Sequence, residues 1–334
     1  MTLKPVWQPN KPSSDPMNPE PRPKHRHKRL RTVAMLPTLL TLGNLYCGFL
    51  AIYYCGREMH DLGAKVDAAT VLTLKSQRLE AIAPSYLAVG VIMLIGAMIC
   101  DSLDGRVARM TGAASKFGVQ MDSLADVVSF GVAPGFMMVT LLRRELTEWA
   151  QVPLGFERFG QAAVLIGAVF ACCTALRLAR FNVEASLEEA AHYGFKGLPS
   201  PGAAAAVISL IFLHDHLDSV GGFDRLTSAI TVFLPIGTLA VSLLMVSRVP
   251  YTHLVSLLLS RRPFGQLPLM LLGALLLLLY PQQVLVILAW AFVFSGPVRH
   301  ALRLIAGRPA HPAVVPDSDS QSASSTPTSD RKAQ

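Results

Sequence analysis

Charged side chains are scarce in this sequence. Asp, Glu, Lys and Arg make up 16% of its 334 residues, whereas 51% are hydrophobic. Soluble domains carry about 25% charged residues, so this composition excludes an ordinary soluble fold. We therefore predict an all-α protein that crosses a membrane several times.

The chain also lacks the cysteine pattern of a zinc site or of a secreted disulfide scaffold. Its five cysteines have no C-x-x-C spacing and lie in or beside apolar segments: Cys47, Cys55, Cys100, Cys172 and Cys173. We interpret them as small packing residues. A cleavable signal peptide is not expected either, because the first apolar run follows roughly thirty polar, proline-rich residues.

Long apolar runs are abundant. A membrane-spanning helix needs roughly 20 apolar residues, and eight runs approach that length: 35–55, 84–104, 118–142, 161–182, 199–214, 228–247, 266–280 and 283–300. The sequence thus predicts a polytopic membrane helix bundle of about eight transmembrane helices, with a six-helix core and two C-terminal helices. The predicted divisions are a disordered basic arm (1–32), a membrane domain (33–250), a C-terminal transmembrane hairpin (251–305) and a disordered tail (306–334). Pro281 and Gln282 divide the last two runs and mark either a tight hairpin or a kink.

Basic residues are unevenly distributed between the two sides of the predicted bundle. Most of the 30 Lys and Arg residues fall in the two tails and in alternate loops, which predicts cytoplasmic termini by the positive-inside rule. The cluster from Lys24 to Arg31 precedes the first span and is expected to meet anionic membrane lipids. Nucleic acid is not expected as a partner. A bacterial plasma (inner) membrane is the predicted location.

Four aspartates interrupt the apolar sequence near the second and third spans. Asp101 and Asp104 are three residues apart, and Asp122 and Asp126 are four apart, so each pair shares one face of its helix. A carboxylate at membrane depth is costly unless it is paired, solvated or bound to a metal. The two pairs therefore predict one functional pocket on the cytoplasmic side.

The residue types around these aspartates indicate a metal-bound diphosphate. Carboxylates prefer hard cations such as Mg²⁺ or Mn²⁺, and two such ions suit a displacement at phosphorus. Gly105 and Gly118 would let helix backbone approach a bulky ligand, and Arg109 can bind phosphate bidentately.

The run from Asp101 to Asp126 has the pattern D-x2-D-G-x2-A-R-x8-G-x3-D-x3-D. This pattern resembles the signature of the CDP-alcohol phosphatidyltransferases. The resemblance implies a homodimeric enzyme that transfers the phosphoryl-lipid part of a CDP-linked donor to an alcohol and releases CMP. It also implies roles for the motif residues. The four aspartates would hold divalent metal, with Asp126 as the catalytic base, while Gly105, Arg109 and Ser115 would contact the nucleotide diphosphate. Gly118 is predicted as a cofactor-binding position because it lacks a side chain.

Four further stretches, at 36–45, 122–134, 176–182 and 195–201, look like those of membrane-integral phosphatidylserine synthases. That similarity implies CDP-diacylglycerol and L-serine as substrates.

Candidate residues for the serine carboxylate or the lipid phosphate are Arg177, Arg180 and Lys196, because they share the cytoplasmic side with the motif. Asn44 suits either a helix–helix hydrogen bond or a ligand contact. Gly131 and Gly135 form a small-xxx-small pair that favours helix packing or dimerisation.

Three alternatives stay open at this stage. A sister enzyme with the same signature would use glycerol 3-phosphate, an inositol compound or an amino alcohol. A membrane prenyltransferase also sets aspartates around a diphosphate, but its motifs lie on separated helices without a D-G-x2-A-R core. A non-enzymatic cation transporter would suit intramembrane aspartates but would not need Arg109 or the glycines.

Overall fold

The computed structural model of the chain describes residues 31–60, 83, 85–111, 116–148, 156–187, 197–247, 249, 251 and 267–305. Within these ranges every regular element is a helix, which confirms the predicted all-α class. The predicted tail at 306–334 lies outside the described residues, as does all of the predicted arm except its last two residues.

Nine α-helices and one π-helical turn are present in this part of the chain. They are α1 (Arg31–His60), α2 (Tyr86–Thr111), α3 (Lys116–Asp126), the π turn (Val127–Val132), α4 (Ala133–Glu148), α5 (Phe156–Leu187), α6 (Ser200–Val220), α7 (Asp224–Val246), α8 (Leu267–Leu279) and α9 (Pro281–Ile305).

Seven of the described helical segments are long and apolar enough to cross a membrane, which confirms a multi-pass membrane protein. They correspond to the first six predicted spans and to the eighth. The predicted seventh span is the 13-residue helix α8, whose length of about 20 Å falls short of a hydrocarbon core of roughly 30 Å. Pro281 begins α9, as expected where a helix must restart after a break. The C-terminal hairpin over 251–305 stays a prediction.

Small residues bring the helices close together in the centre of the bundle. A Cβ on Gly135 of α4 would lie 2.8 Å from the carbonyl oxygen of Gly167 on α5, so these two backbones touch at their glycines. A Cβ on Gly131 would lie 3.1 Å from the Cβ of Thr174. The predicted packing role of Gly131 and Gly135 is therefore confirmed, and their partner is α5 of the same chain.

A buried ionic cluster ties four helices together at one end of the bundle. Arg144 of α4 donates to Glu58 of α1 and to Asp215 of α6, each at 3.1 Å. Ser85, at the start of α2, donates to Asp215 at 2.7 Å. We call Glu58, Ser85, Arg144 and Asp215 the Arg144 cluster. It lies roughly 25 Å along the helix axis from Asp126, so the two polar groups occupy opposite ends of the bundle.

Candidate active site

Three of the four signature aspartates converge between α2 and α3. Asp101, Asp122 and Asp126 each offer a carboxylate oxygen, and these oxygens lie within 4.8 Å of one another. Asp126 is buried, whereas Asp101 and Asp122 are partly buried. The sequence expectation that two helices would bring carboxylates into one pocket is met for these three residues.

Asp104 stands outside this group of three. It is 5% exposed, and its Oδ2 accepts a hydrogen bond of 3.1 Å from the Thr41 hydroxyl on α1. Asp104 lies one helical turn beyond Asp101, so it belongs to the same pocket wall while its carboxylate is held by a different helix.

Asn44 of α1 makes a direct contact with Asp126. Its side-chain Nδ2 donates to Asp126 Oδ1 at 3.0 Å, and the residue is fully buried. The interhelical hydrogen bond, one of the two possibilities left open by the sequence, is therefore present. The other amide atom, Asn44 Oδ1, is buried and has no hydrogen-bond partner among the described residues.

The π turn begins directly after Asp126. Such turns insert an extra residue into a helix and are frequent at functional sites. Here the turn carries the fully buried Ser129, whose hydroxyl donates to the backbone carbonyl of Asn44 at 3.0 Å. The π turn thus anchors α1 beside Asp126.

Gly48 makes this close approach of α1 possible, and its replacement tests the arrangement. A Cβ on Gly48 would lie 2.9 Å from the Cα of Ser129, a contact that requires the backbone to move. We expect Gly48→Ala to separate α1 from the π turn and to lower both the melting temperature and the activity.

Gly56 is the matched control, because a Cβ on Gly56 meets nothing within 4 Å. Gly56→Ala should be neutral or stabilise the same helix by up to about 1 kcal/mol. Thermal unfolding in detergent compares the two variants. Equal melting temperatures for both would contradict the proposed contact.

The nucleotide-facing candidates lie on exposed turns next to the carboxylates. Gly105 is exposed, and a Cβ there would meet nothing within 4 Å, so this backbone is open to a large ligand. Arg109 is exposed, and its Nε donates to the Gly105 carbonyl at 3.0 Å. Gly118 lies in the first turn of α3 and is partly exposed. Ser115 lies outside the described residues.

Two of the three basic candidates, Arg177 and Arg180, lie near the C-terminal end of α5. Arg177 is partly buried and close enough to Asp126 for their charges to interact. Its Nη1 donates to Ser200, the first residue of α6, while its Nε is buried without a hydrogen-bond partner among the described residues. Arg180 is exposed one turn further along α5. Lys196 lies outside the described residues.

Three polar residues of this site were missed by the sequence analysis: Thr41, Ser129 and Ser200. Thr41 had a usable signal, because it is three residues before Asn44 in an apolar span and so shares its helical face. Ser129 and Ser200 had none, since their roles depend on which helices become neighbours.

The donor set fits a hard divalent cation. The group of three converging side chains consists of carboxylates alone, without sulfur or imidazole, and oxygen ligands are those preferred by Mg²⁺ and Mn²⁺. In addition, Asp122 Oδ1 is buried and has no hydrogen-bond partner in the described part of the chain. A buried carboxylate oxygen without a partner is costly, and a cation would satisfy it.

Comparisons with known proteins agree with this chemistry. A family model described as CDP-alcohol phosphatidyltransferase matches residues 34–241. The CDP-diacylglycerol–serine O-phosphatidyltransferase of Helicobacter pylori strain J99 is 31% identical over 221 residues, which cover 66% of this chain and 72% of that protein. The archaetidylserine synthase of Methanothermobacter thermautotrophicus is 31% identical over 226 residues, covering 67% of this chain and 72% of that protein. A CDP-diacylglycerol–serine O-phosphatidyltransferase of Methanocaldococcus jannaschii is 41% identical over 115 residues, which cover 33% of this chain and 44% of that protein.

Proposed function

Because the chain belongs to the CDP-alcohol phosphatidyltransferase family, we propose that it transfers the phosphatidyl group of CDP-diacylglycerol to the hydroxyl of L-serine and releases CMP. The observation that carries this proposal is the convergence of Asp101, Asp122 and Asp126, because these are signature positions of the family. Family membership disfavours the prenyltransferase and transporter alternatives. The remaining question is which alcohol accepts the phosphatidyl group. A sister enzyme of the family would use glycerol 3-phosphate or an inositol compound instead of L-serine.

Asp101, Asp104, Asp122 and Asp126 would hold Mg²⁺ or Mn²⁺. When bound, the metal would neutralise charge on the diphosphate and on the departing CMP. The protein's own groups bind and orient the substrates: Gly105 and Gly118 admit the nucleotide diphosphate, and Arg109 and Ser115 contact its phosphates.

Asp126 is the residue that we assign as the base. It would accept the proton of the serine hydroxyl as that oxygen bonds to the lipid-bearing phosphorus and the bond from phosphorus to CMP breaks. The hydrogen bond from Asn44 occupies Oδ1 of Asp126, so the proton would go to the other carboxylate oxygen.

The polar groups near Asp126 complement an amino acid. Asn44 Oδ1 is a buried acceptor and Arg177 Nε a buried donor, and neither has a hydrogen-bond partner among the described residues. An ammonium group would satisfy the first and a carboxylate the second, and serine carries both. Glycerol 3-phosphate has no ammonium group to offer Asn44. Arg180 and Lys196 are proposed for the lipid phosphate.

Replacing Arg177 tests the assignment of the carboxylate. Loss of a hydrogen bond to a charged group costs about 1.5–3 kcal/mol, so Arg177→Gln should raise the KM for serine about 10- to 100-fold with a smaller change in kcat. Arg225→Gln is the control, since Arg225 is exposed at the start of α7. An unchanged serine KM would leave Arg177 with a structural role through Ser200.

The proposed setting is the bacterial plasma membrane, with the carboxylates and both termini cytoplasmic and the basic arm near anionic lipids. A homodimer is proposed from the family resemblance.

An acceptor panel tests the proposed reaction. Detergent-purified protein is incubated with CDP-diacylglycerol, Mg²⁺ and either L-serine, glycerol 3-phosphate, inositol or no acceptor, and the lipid products are identified by mass spectrometry. Phosphatidylserine as the main product is expected. Phosphatidylglycerol phosphate or phosphatidylinositol alone would show that the acceptor is wrong although the family chemistry holds.

A further inference from the structure

Helix α1 carries two polar side chains that contact carboxylates on two different helices. Thr41 donates to Asp104 of α2 at 3.1 Å, and Asn44 donates to Asp126 of α3 at 3.0 Å. The two donors are three residues apart and therefore share one helical face. A single face of α1 thus holds one member of each signature pair.

Both donors are firmly placed. Thr41 is 5% exposed and Asn44 fully buried, and Ser129 of the π turn holds the backbone of Asn44. Gly48 lets α1 lie against that turn one helical turn further along. Rotation or sliding of α1 would therefore break the contacts with both carboxylates at once.

These hydrogen bonds restrict how the two carboxylates can turn. An ionised carboxylate only accepts hydrogen bonds, at about four lone-pair sites, so each donor uses one of these sites and restricts the side-chain torsion. Asp104 Oδ2 and Asp126 Oδ1 are the accepting atoms, and the other lone pairs of each carboxylate stay available to ligands. Thr41 also lies 3.1 Å from the Pro37 carbonyl, but a charged acceptor forms the stronger bond.

We propose that Thr41 and Asn44 are positioning residues that orient Asp104 and Asp126 for divalent metal. The inference rests on the proposed function and deepens it, because it makes metal affinity depend on α1 as well as on the two helices that carry the signature. Hydrogen bonds to the ligands of a metal commonly change its affinity about 10- to 100-fold when they are removed.

The competing explanation is purely structural. Asp104 and Asp126 are the two most buried of the signature aspartates, and buried carboxylates need hydrogen bonds whether or not they bind metal. Under that explanation, loss of a donor would lower stability without changing the metal concentration that the protein requires.

The experiment measures the melting temperature of the purified protein at increasing concentrations of Mg²⁺ or Mn²⁺, without substrate. It is applied to the wild type, Thr41→Val, Thr41→Ser, Asn44→Leu and the control Thr38→Val, which lies one turn earlier on α1. We define the midpoint as the metal concentration that gives half of the maximal rise in melting temperature. Thr41→Val and Asn44→Leu should each raise this midpoint about 10- to 100-fold. Thr41→Ser, which keeps the hydroxyl, and Thr38→Val should remain near the wild type.

Thr41→Val exchanges groups of nearly equal size and decides the matter if Asn44→Leu does not yield folded protein. A midpoint within twofold of the wild type for folded Thr41→Val would overturn the positioning role. CMP release by the wild type is measured in parallel: if the wild type releases CMP with metal while the variants have unchanged midpoints, only this inference fails. If the wild type shows neither metal stabilisation nor CMP release, the proposed function fails with it.

Discussion

Asp126→Asn is expected to lower serine-dependent CMP release about 10²- to 10⁴-fold, the range typical of a lost general base. An amide has almost the same size and shape as a carboxylate, so its oxygen can still accept the 3.0 Å hydrogen bond from Asn44. The amide nitrogen at the other position cannot take a proton. The variant should therefore keep its fold and still bind CDP-diacylglycerol while losing turnover.

Steady-state CMP release and equilibrium binding of a CDP-lipid measure the two effects separately. Asp224→Asn is the matched control, because Asp224 is exposed in the first turn of α7 and lies at the other end of the bundle. Near-normal turnover in Asp126→Asn would contradict the assignment of the base. Loss of nucleotide binding together with turnover would instead show that the proposed role of Asp126 in holding metal for the diphosphate dominates the effect.

Arg144→Met should have the largest effect on stability. Arg144 is the shared partner of Glu58 and Asp215, and removing one member of a buried ion pair costs about 3–5 kcal/mol because the remaining charge is left uncompensated. We expect the melting temperature in detergent to fall by about 10 °C. The activity of the folded fraction should stay near the wild type, since the Arg144 cluster is remote from Asp126.

Two further variants separate charge compensation from simple loss of a large side chain. Arg143→Met removes an exposed arginine at the adjacent position and should change stability by less than about 1 kcal/mol. Combining Arg144→Met with Glu58→Gln and Asp215→Asn removes the two carboxylates closest to Arg144, while Glu145 and Asp218 at 3.5 Å keep their charges. The combination should recover part of the lost stability. A triple variant less stable than Arg144→Met would refute this explanation.

The sequence predicted the fold class and the convergence of three carboxylates, because both depend on local patterns. Apolar runs reveal spans without reference to their neighbours, and the spacing of Asp101, Asp122 and Asp126 places them on predictable helix faces. The convergence of these three residues followed from that spacing. The polar end of α2, with Gly105 and Arg109, was harder to assign, because the helix continues beyond its apolar run to Thr111.

Contacts between distant helices were beyond the sequence analysis. Glu58 lies beyond the predicted first span (35–55), yet α1 continues to His60 and Arg144 compensates the charge of the buried Glu58. The link between Thr41 and Asp104 spans 63 residues, so no local pattern encodes it. The π turn was also missed, since a one-residue insertion in a helix does not alter an apolar run.

The most direct test of the central claim is CMP release from CDP-diacylglycerol by the purified protein, with and without L-serine, before and after removal of metal by EDTA. We predict release that requires serine, stops with EDTA and returns when Mg²⁺ or Mn²⁺ is added in excess. Release that continues at the same rate in EDTA, or that never depends on an acceptor alcohol, would contradict the metal-dependent transferase that the aspartates of α2 and α3 are proposed to form.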